Sequence, residues 1–145
     1  MIDVRKIVEM QCQTVARWHQ EPIDNPYEGL FADICKQHSF NYQLWHEEDL
    51  ARSPDADDAV IARVKRAIDG FNQQRNDWIE LVDDHIAKIL DENEVQVDET
   101  VRINTETPGS VIDRLSILAL RIYHLEEQLD REDVDQQHLD KVRFQ

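Results

Sequence analysis

The chain has 145 residues, and 31 acidic against 16 basic side chains leave it a formal charge of −15. A field of that sign repels phosphate backbones and anionic lipid, which disfavours nucleic-acid and membrane partners, and it attracts cations or a basic partner. Three glycines and four prolines leave little turn material, and the length suits one domain, so the expectation is an all-α, single-domain helical bundle spanning 1–145. No run approaches the roughly 18 apolar residues of a membrane span. The start MIDVRKIVEM is a mixed-charge helical pattern rather than a signal segment, which points to the cytoplasm. Cys12 and Cys35 lack CxxC spacing and read as buried free thiols of a reducing compartment.

Apolar residues at Val4, Ile7, Val8, Cys12, Val15 and Trp18 recur every third or fourth position and predict a first helix from Ile2 to about His19. Glu21-Pro22-Ile23-Asp24-Asn25-Pro26 stops it. Leu30, Phe31, Ile34 and Cys35 then predict a short helix from Tyr27 to Gln37, and Ser39 an N-cap for a helix from Phe40 to Arg52. One continuous or kinked helix is the alternative.

Ser53-Pro54-Asp55 breaks that segment, and Asp55 or Asp57 caps the next. Ile61, Val64, Ile68, Phe71, Trp78, Val82 and Ile89 form a heptad seam from Asp57 to Leu90, a spine helix of roughly 50 Å. Arg75 and His85 interrupt the seam and need partners. Beside it runs a polar row of Lys65, Asp69, Asn72, Asn76, Glu80 and Asp83. Val95, Val97 and Val101 alternate through an acidic connector.

Thr107-Pro108-Gly109 marks a turn, with Ser110 as N-cap and Asp113 reaching back to it. The helix from Val111 to about Leu129 has apolar residues around most of its circumference, which predicts a central helix buried on several sides. Val134, Leu139 and Val142 predict a last short helix or a frayed tail from Asp133 to Phe144.

Three segments in order, NYQLWHEEDLAR, KRAIDGFNQQRNDWIELVD and NTETPGSVIDRLSILALRIYH, resemble the DUF4254 family, bacterial proteins of undefined function. The resemblance covers Ser39 to His124 and implies a helical domain with no accepted reaction. Carried over residue by residue, it singles out Asn41, Trp45, Glu48, Asp49 and Arg52 in the first segment. The second contributes Lys65, Asp69, Asn72, Arg75, Asn76 and Asp77, and the third Glu106, Gly109, Asp113, Arg114 and His124.

Two arrangements of these groups compete. Glu48 or Asp49 with Arg75, and Asp113 with Arg114 or His124, would form buried ion pairs that fix helix register. Facing helices would alternatively project them into a polar pocket for a small anionic or phosphorylated ligand, held by Arg52, Lys65, Arg75 and Arg114. Glu48, Asp49, Glu80 and Asp83 are oxygen donors suited to Mg2+, which would make the chain a magnesium-dependent nucleotide or phosphate hydrolase. Glu80-Leu81-Val82-Asp83 matches one ExxD half of helical pyrophosphatases, and the ExxE half is missing. His46-Glu47 lacks the second histidine of HExxH, and the histidines form no cluster in the sequence. The third reading is a homodimer made by helix packing, with no catalytic activity.

Overall fold

The structure is a computed structural model and describes residues 2–96, 100 and 105–130. It has four helices: α1 (Val4–Trp18), α2 (Gly29–Arg52), α3 (Asp58–Glu92) and α4 (Pro108–Leu129). The alternating pattern at Val97 and Val101 and the expected tail from Asp133 to Phe144 lie outside the described residues.

Asp3 opens α1 by accepting the Lys6 amide, which satisfies one of the orphan donors of a helix start. Ile7, Met10, Val15 and Trp18 bury one stripe. Past Trp18 the chain turns back: Arg17 pairs with Asp24 at 2.6 Å, Trp18 donates its indole N–H to the same carboxylate, and Asn25 donates to the Ala32 carbonyl. This return places the start of α2 near the start of α1. Gly29, at φ +61°, makes the corner, a conformation costly to a side chain with a Cβ. The two helices therefore run parallel, with His38 on Gln11 near their middles and His46 beside His19 near their ends.

The segment from Gly29 to Arg52 is one continuous helix. Ser39 caps nothing and donates its hydroxyl to the Lys36 carbonyl instead. Ser53 to Asp57 reverses the chain, Asp57 accepts the Val60 amide, and α3 runs back along α2 with Phe71 beside Phe40 and His85 beside Asp33. At 35 residues α3 is the spine, about 50 Å long at 1.5 Å per residue. Of its seam, Val82 enters the main core, joined there by Ile86 from outside the seam, and Val64 is buried with Phe40 and Leu44 buried on the facing helix.

Thr107 caps α4, and Pro108 takes the first position, where the missing amide is no loss. The expected cap at Ser110 is thus three residues late. The reason is local: a proline fits inside the first turn, so the residue before it becomes the cap. Gly109 is next to the spine, where a Cβ would lie 2.7 Å from the Ile79 carbonyl oxygen, and its amide donates to Asp83 at 2.6 Å. Close approach, rather than a special φ, requires glycine here. α4 packs on α1, α2 and α3, as α2 packs on α1, α3 and α4, so it shares the centre of the bundle with α2. It is nevertheless covered on one side only: Ile112, Ser116, Ala119 and Leu120 face inward, while Val111, Leu118 and Ile122 are exposed.

Candidate functional site

Gln37, His38 and Asn41 share one buried face of α2 and meet Asp113 and Ser116 on α4. Burying a carboxylate demands charge and hydrogen bonds in return. Asp113 receives both. Arg75, from the spine, donates to its two oxygens at 2.9 and 2.5 Å, Gln37 donates at 2.6 Å and Asn41 at 2.9 Å. Burial pushes the Asp113 carboxyl upward, but the hydrogen bonds from Arg75, Asn41 and Gln37 outweigh it and hold the group below the usual carboxylate range. Its bond to Asp113 raises the Arg75 guanidinium further.

The network continues toward α1. Asn41 also donates to the Ser116 hydroxyl at 3.0 Å, and Ser116 meets His38 Nδ1. His38 Nε2 lies 3.0 Å from the Gln11 carbonyl, and Gln11 donates its amide to the Ile112 carbonyl. Burial pushes the His38 imidazole down to about 4, so the ring is neutral at ordinary pH. A neutral ring donates from Nε2 to Gln11 and accepts from Ser116 at Nδ1. The result is one polar chain through the core, from the α3 guanidinium to the α1 backbone.

A second group lies at the far ends of α1, α2 and α4. His19, His46 and His124 come together there with Tyr42, Trp45 and Tyr123. Trp45 stacks on His124 with ring centroids 4.8 Å apart and planes within 1° of parallel. Tyr123 stacks on His19 at 4.2 Å. Burial is the main influence on His124, and it lowers that imidazole. Histidines scattered through the sequence therefore do cluster in space.

The other expected site residues separate. Glu48 and Asp49 are exposed and sit 3.7 and 3.6 Å from Arg52, ion pairs of a kind that contributes little. Arg114 pairs with Glu106 on the surface rather than with Asp113. Lys65, Asp69, Asn76 and Glu80 are exposed along α3, Asn72 is half-buried, and Asp83 serves the α4 start. Asn41, Arg75 and Asp113 converge in the core network, and Trp45 with His124 in the aromatic group. His85, the other break in the seam, meets Asp33 at 2.7 Å. Cys35 is buried and its thiol is pushed up to about 11 by burial, whereas Cys12 is exposed, contrary to expectation. Gln11, Gln37, His38, Ser116 and His19 carry no motif in the sequence, and His46, set aside there for want of a second histidine at HExxH spacing, finds its neighbours only in the fold. For most of these the available signal was a polar side chain on an otherwise apolar helix face.

A family described as a protein of unknown function (DUF4254) matches residues 32–145. The chain belongs to the DUF4254 family. No curated protein and no solved structure matches it. The DUF4254 match takes in α3, α4 and nearly all of α2, hence Gln37, His38, Asn41, Arg75, Asp113 and Ser116. Gln11 and His19 come from the segment before it. Among the described residues, no helix is long and apolar enough to cross a membrane.

Proposed function

We propose that this chain is a helical self-association module that pairs with a second copy of itself through the outer face of α4. The observation that carries this reading is the stripe Val111, Leu115, Leu118, Ile122, Leu125 and Leu129. Its spacing alternates four and three, the seven-residue repeat of a helix that packs along a partner helix. Val111, Leu118 and Ile122 in the stripe are 37%, 46% and 44% exposed. A contiguous apolar row on a surface otherwise dense in charge is the mark of an interaction face, unlike the isolated exposures of Leu50 or Leu81.

The stripe is self-complementary. In an antiparallel two-fold pair, Leu118 of one copy meets Ile122 of the other, Leu115 meets Leu125, and Val111 meets Leu129, so every layer is apolar. The core polar network supports the same reading from the other side. Arg75 closes on both oxygens of Asp113, so this charge serves the core rather than a substrate anion. Light scattering on the full chain across a hundredfold concentration range tests the proposal. Twice the chain mass at the upper end supports it, and the monomer mass throughout overturns it.

One observation favours a second reading, a small anionic ligand. Arg114 and Arg121 flank a groove of about 400 Å3 whose apolar floor is Val111, Leu115, Ile117 and Leu118. That composition suits an anion with an apolar body. A thermal-shift screen of nucleotides, sugar phosphates and fatty acids, with and without Mg2+, separates this reading from self-association: stabilisation lost in Arg121→Ala supports it.

A further inference from the structure

His19, which caps the end of α1, meets His46 of α2 and His124 of α4 near one end of the bundle, and the protein leaves their ring nitrogens poised in a particular way. His19 places Nδ1 2.6 Å from the Val15 carbonyl, and His46 places Nδ1 3.0 Å from the Tyr42 carbonyl. A carbonyl only accepts, so each Nδ1 carries the proton and each Nε2 presents a lone pair. A carbonyl holding Nδ1–H in this way fixes the tautomer and orients the ring, as it does for histidines that ligate a metal through Nε2. The Nε2 atoms of His19 and His124 are buried and have no hydrogen-bond partner among the described residues. Such orphaned polar atoms are uncommon and call for an explanation.

Glu127 stands one turn beyond His124 on α4, and ligand atoms of His19, His124 and Glu127 all lie within 4.8 Å of one another. Ligands about 2 Å from a tetrahedral ion are separated by roughly 3.3 Å, so the set has to draw in on binding, and the exposed Glu127 side chain has room to do so. The rings of His46 and His19 are 5.2 Å apart, and those of His46 and His124 6.1 Å. Tyr123, Glu126, Glu127 and Asp130 line a surface depression beside the cluster, an acidic approach for a cation.

We propose that His19, His124 and Glu127 bind a divalent transition-metal ion of the zinc class, with His46 as the fourth ligand. Imidazole nitrogens with one carboxylate select zinc, cobalt or nickel over magnesium or calcium, whose sites are built of oxygen. The ion would tie the end of α1 to α2 and α4.

The test uses the full chain, stripped of metal by a chelator and titrated with Co2+ and Zn2+. The expected result is one equivalent of Co2+ bound with the intense visible band of a tetrahedral site, displaced by Zn2+, and unaffected by millimolar Mg2+. Glu127 is exposed, so Glu127→Gln folds normally and should weaken binding at least tenfold; His19→Gln and His124→Gln should abolish the band. His46→Gln should shift the band and lower affinity, and an unchanged spectrum would remove His46 from the ligand set. Absence of binding at 100-fold molar excess, or binding that Glu127→Gln and His19→Gln leave untouched, overturns the proposal. In that case the cluster is aromatic packing alone.

Discussion

Arg75 closes on both carboxylate oxygens of Asp113, a guanidinium from the middle of the spine meeting the one carboxylate buried inside α4. Side-chain exposure is 26% for Arg75 and 9% for Asp113, so the pair sits at the edge of the core rather than in water. Such a pair adds little net stability over apolar residues of the same shape, but breaking it strands a charge. Arg75→Ala is therefore expected to destabilise the fold by about 3 kcal/mol, and Asp113→Ala by a similar amount. The double substitution Arg75→Met with Asp113→Leu should be milder than the sum of the singles. Urea denaturation of the four proteins measures it, and additive losses would mean that the two groups do not act as a pair.

His38 makes stability depend on pH with a definite sign. Its folded value of about 4 lies below the ordinary 6.5, so between those two pH values the unfolded chain binds the proton that the folded chain refuses. Stability is complete above pH 6.5 and falls as pH drops toward 4, by on the order of 3 kcal/mol in total. Asp113 adds a second loss at still lower pH, because its folded value is depressed and its protonation removes the charge that Arg75 and the amides hold. Melting temperature followed from pH 7 to pH 4 should decline steadily. His38→Gln should flatten that slope while lowering stability at neutral pH, and an unchanged slope would assign the pH dependence elsewhere.

Gly109 lets α4 approach α3 closely. A methyl group there meets the Ile79 carbonyl, which belongs to helix backbone and gives way poorly. Gly109→Ala should cost about 1 to 3 kcal/mol despite the higher helix propensity of alanine, because α4 must lift from the spine. Asp83→Ala removes the carboxylate that accepts the Gly109 amide and should cost about 1 kcal/mol. A stabilised Gly109→Ala protein would show that the contact relaxes freely.

Much of the architecture was legible because helices announce themselves by period. The spine followed from its heptad seam, and Arg75 and His85 stood out as interruptions that needed partners. Both have them, in Asp113 and Asp33. The identity of Arg75's partner was not legible: Glu48, Asp49 and Asp113 look alike in sequence, and only the packing of α4 on α3 selects among them. Gln37, His38 and Ser116 were missed because a buried polar residue differs from a solvated one by what lies opposite, which is long-range information. His19, His46 and His124 sit in separate segments, joined by the return of the chain at Asp24 and by the packing of α4 on α1 and α2. The outer face of α4 was misjudged for a related reason. An apolar stripe states that something covers it and does not state whether that cover is the same chain or another.

The seam on α4 is tested most directly by sedimentation equilibrium on the full chain, Leu118→Glu and Leu50→Glu. Leu118 and Leu50 are 46% and 52% exposed, so neither substitution should change the stability of the monomer by more than about 0.5 kcal/mol. The native sequence and Leu50→Glu are expected to be dimers, and Leu118→Glu a monomer. A dimer that survives Leu118→Glu, or a native chain that remains monomeric at every concentration, would contradict that expectation.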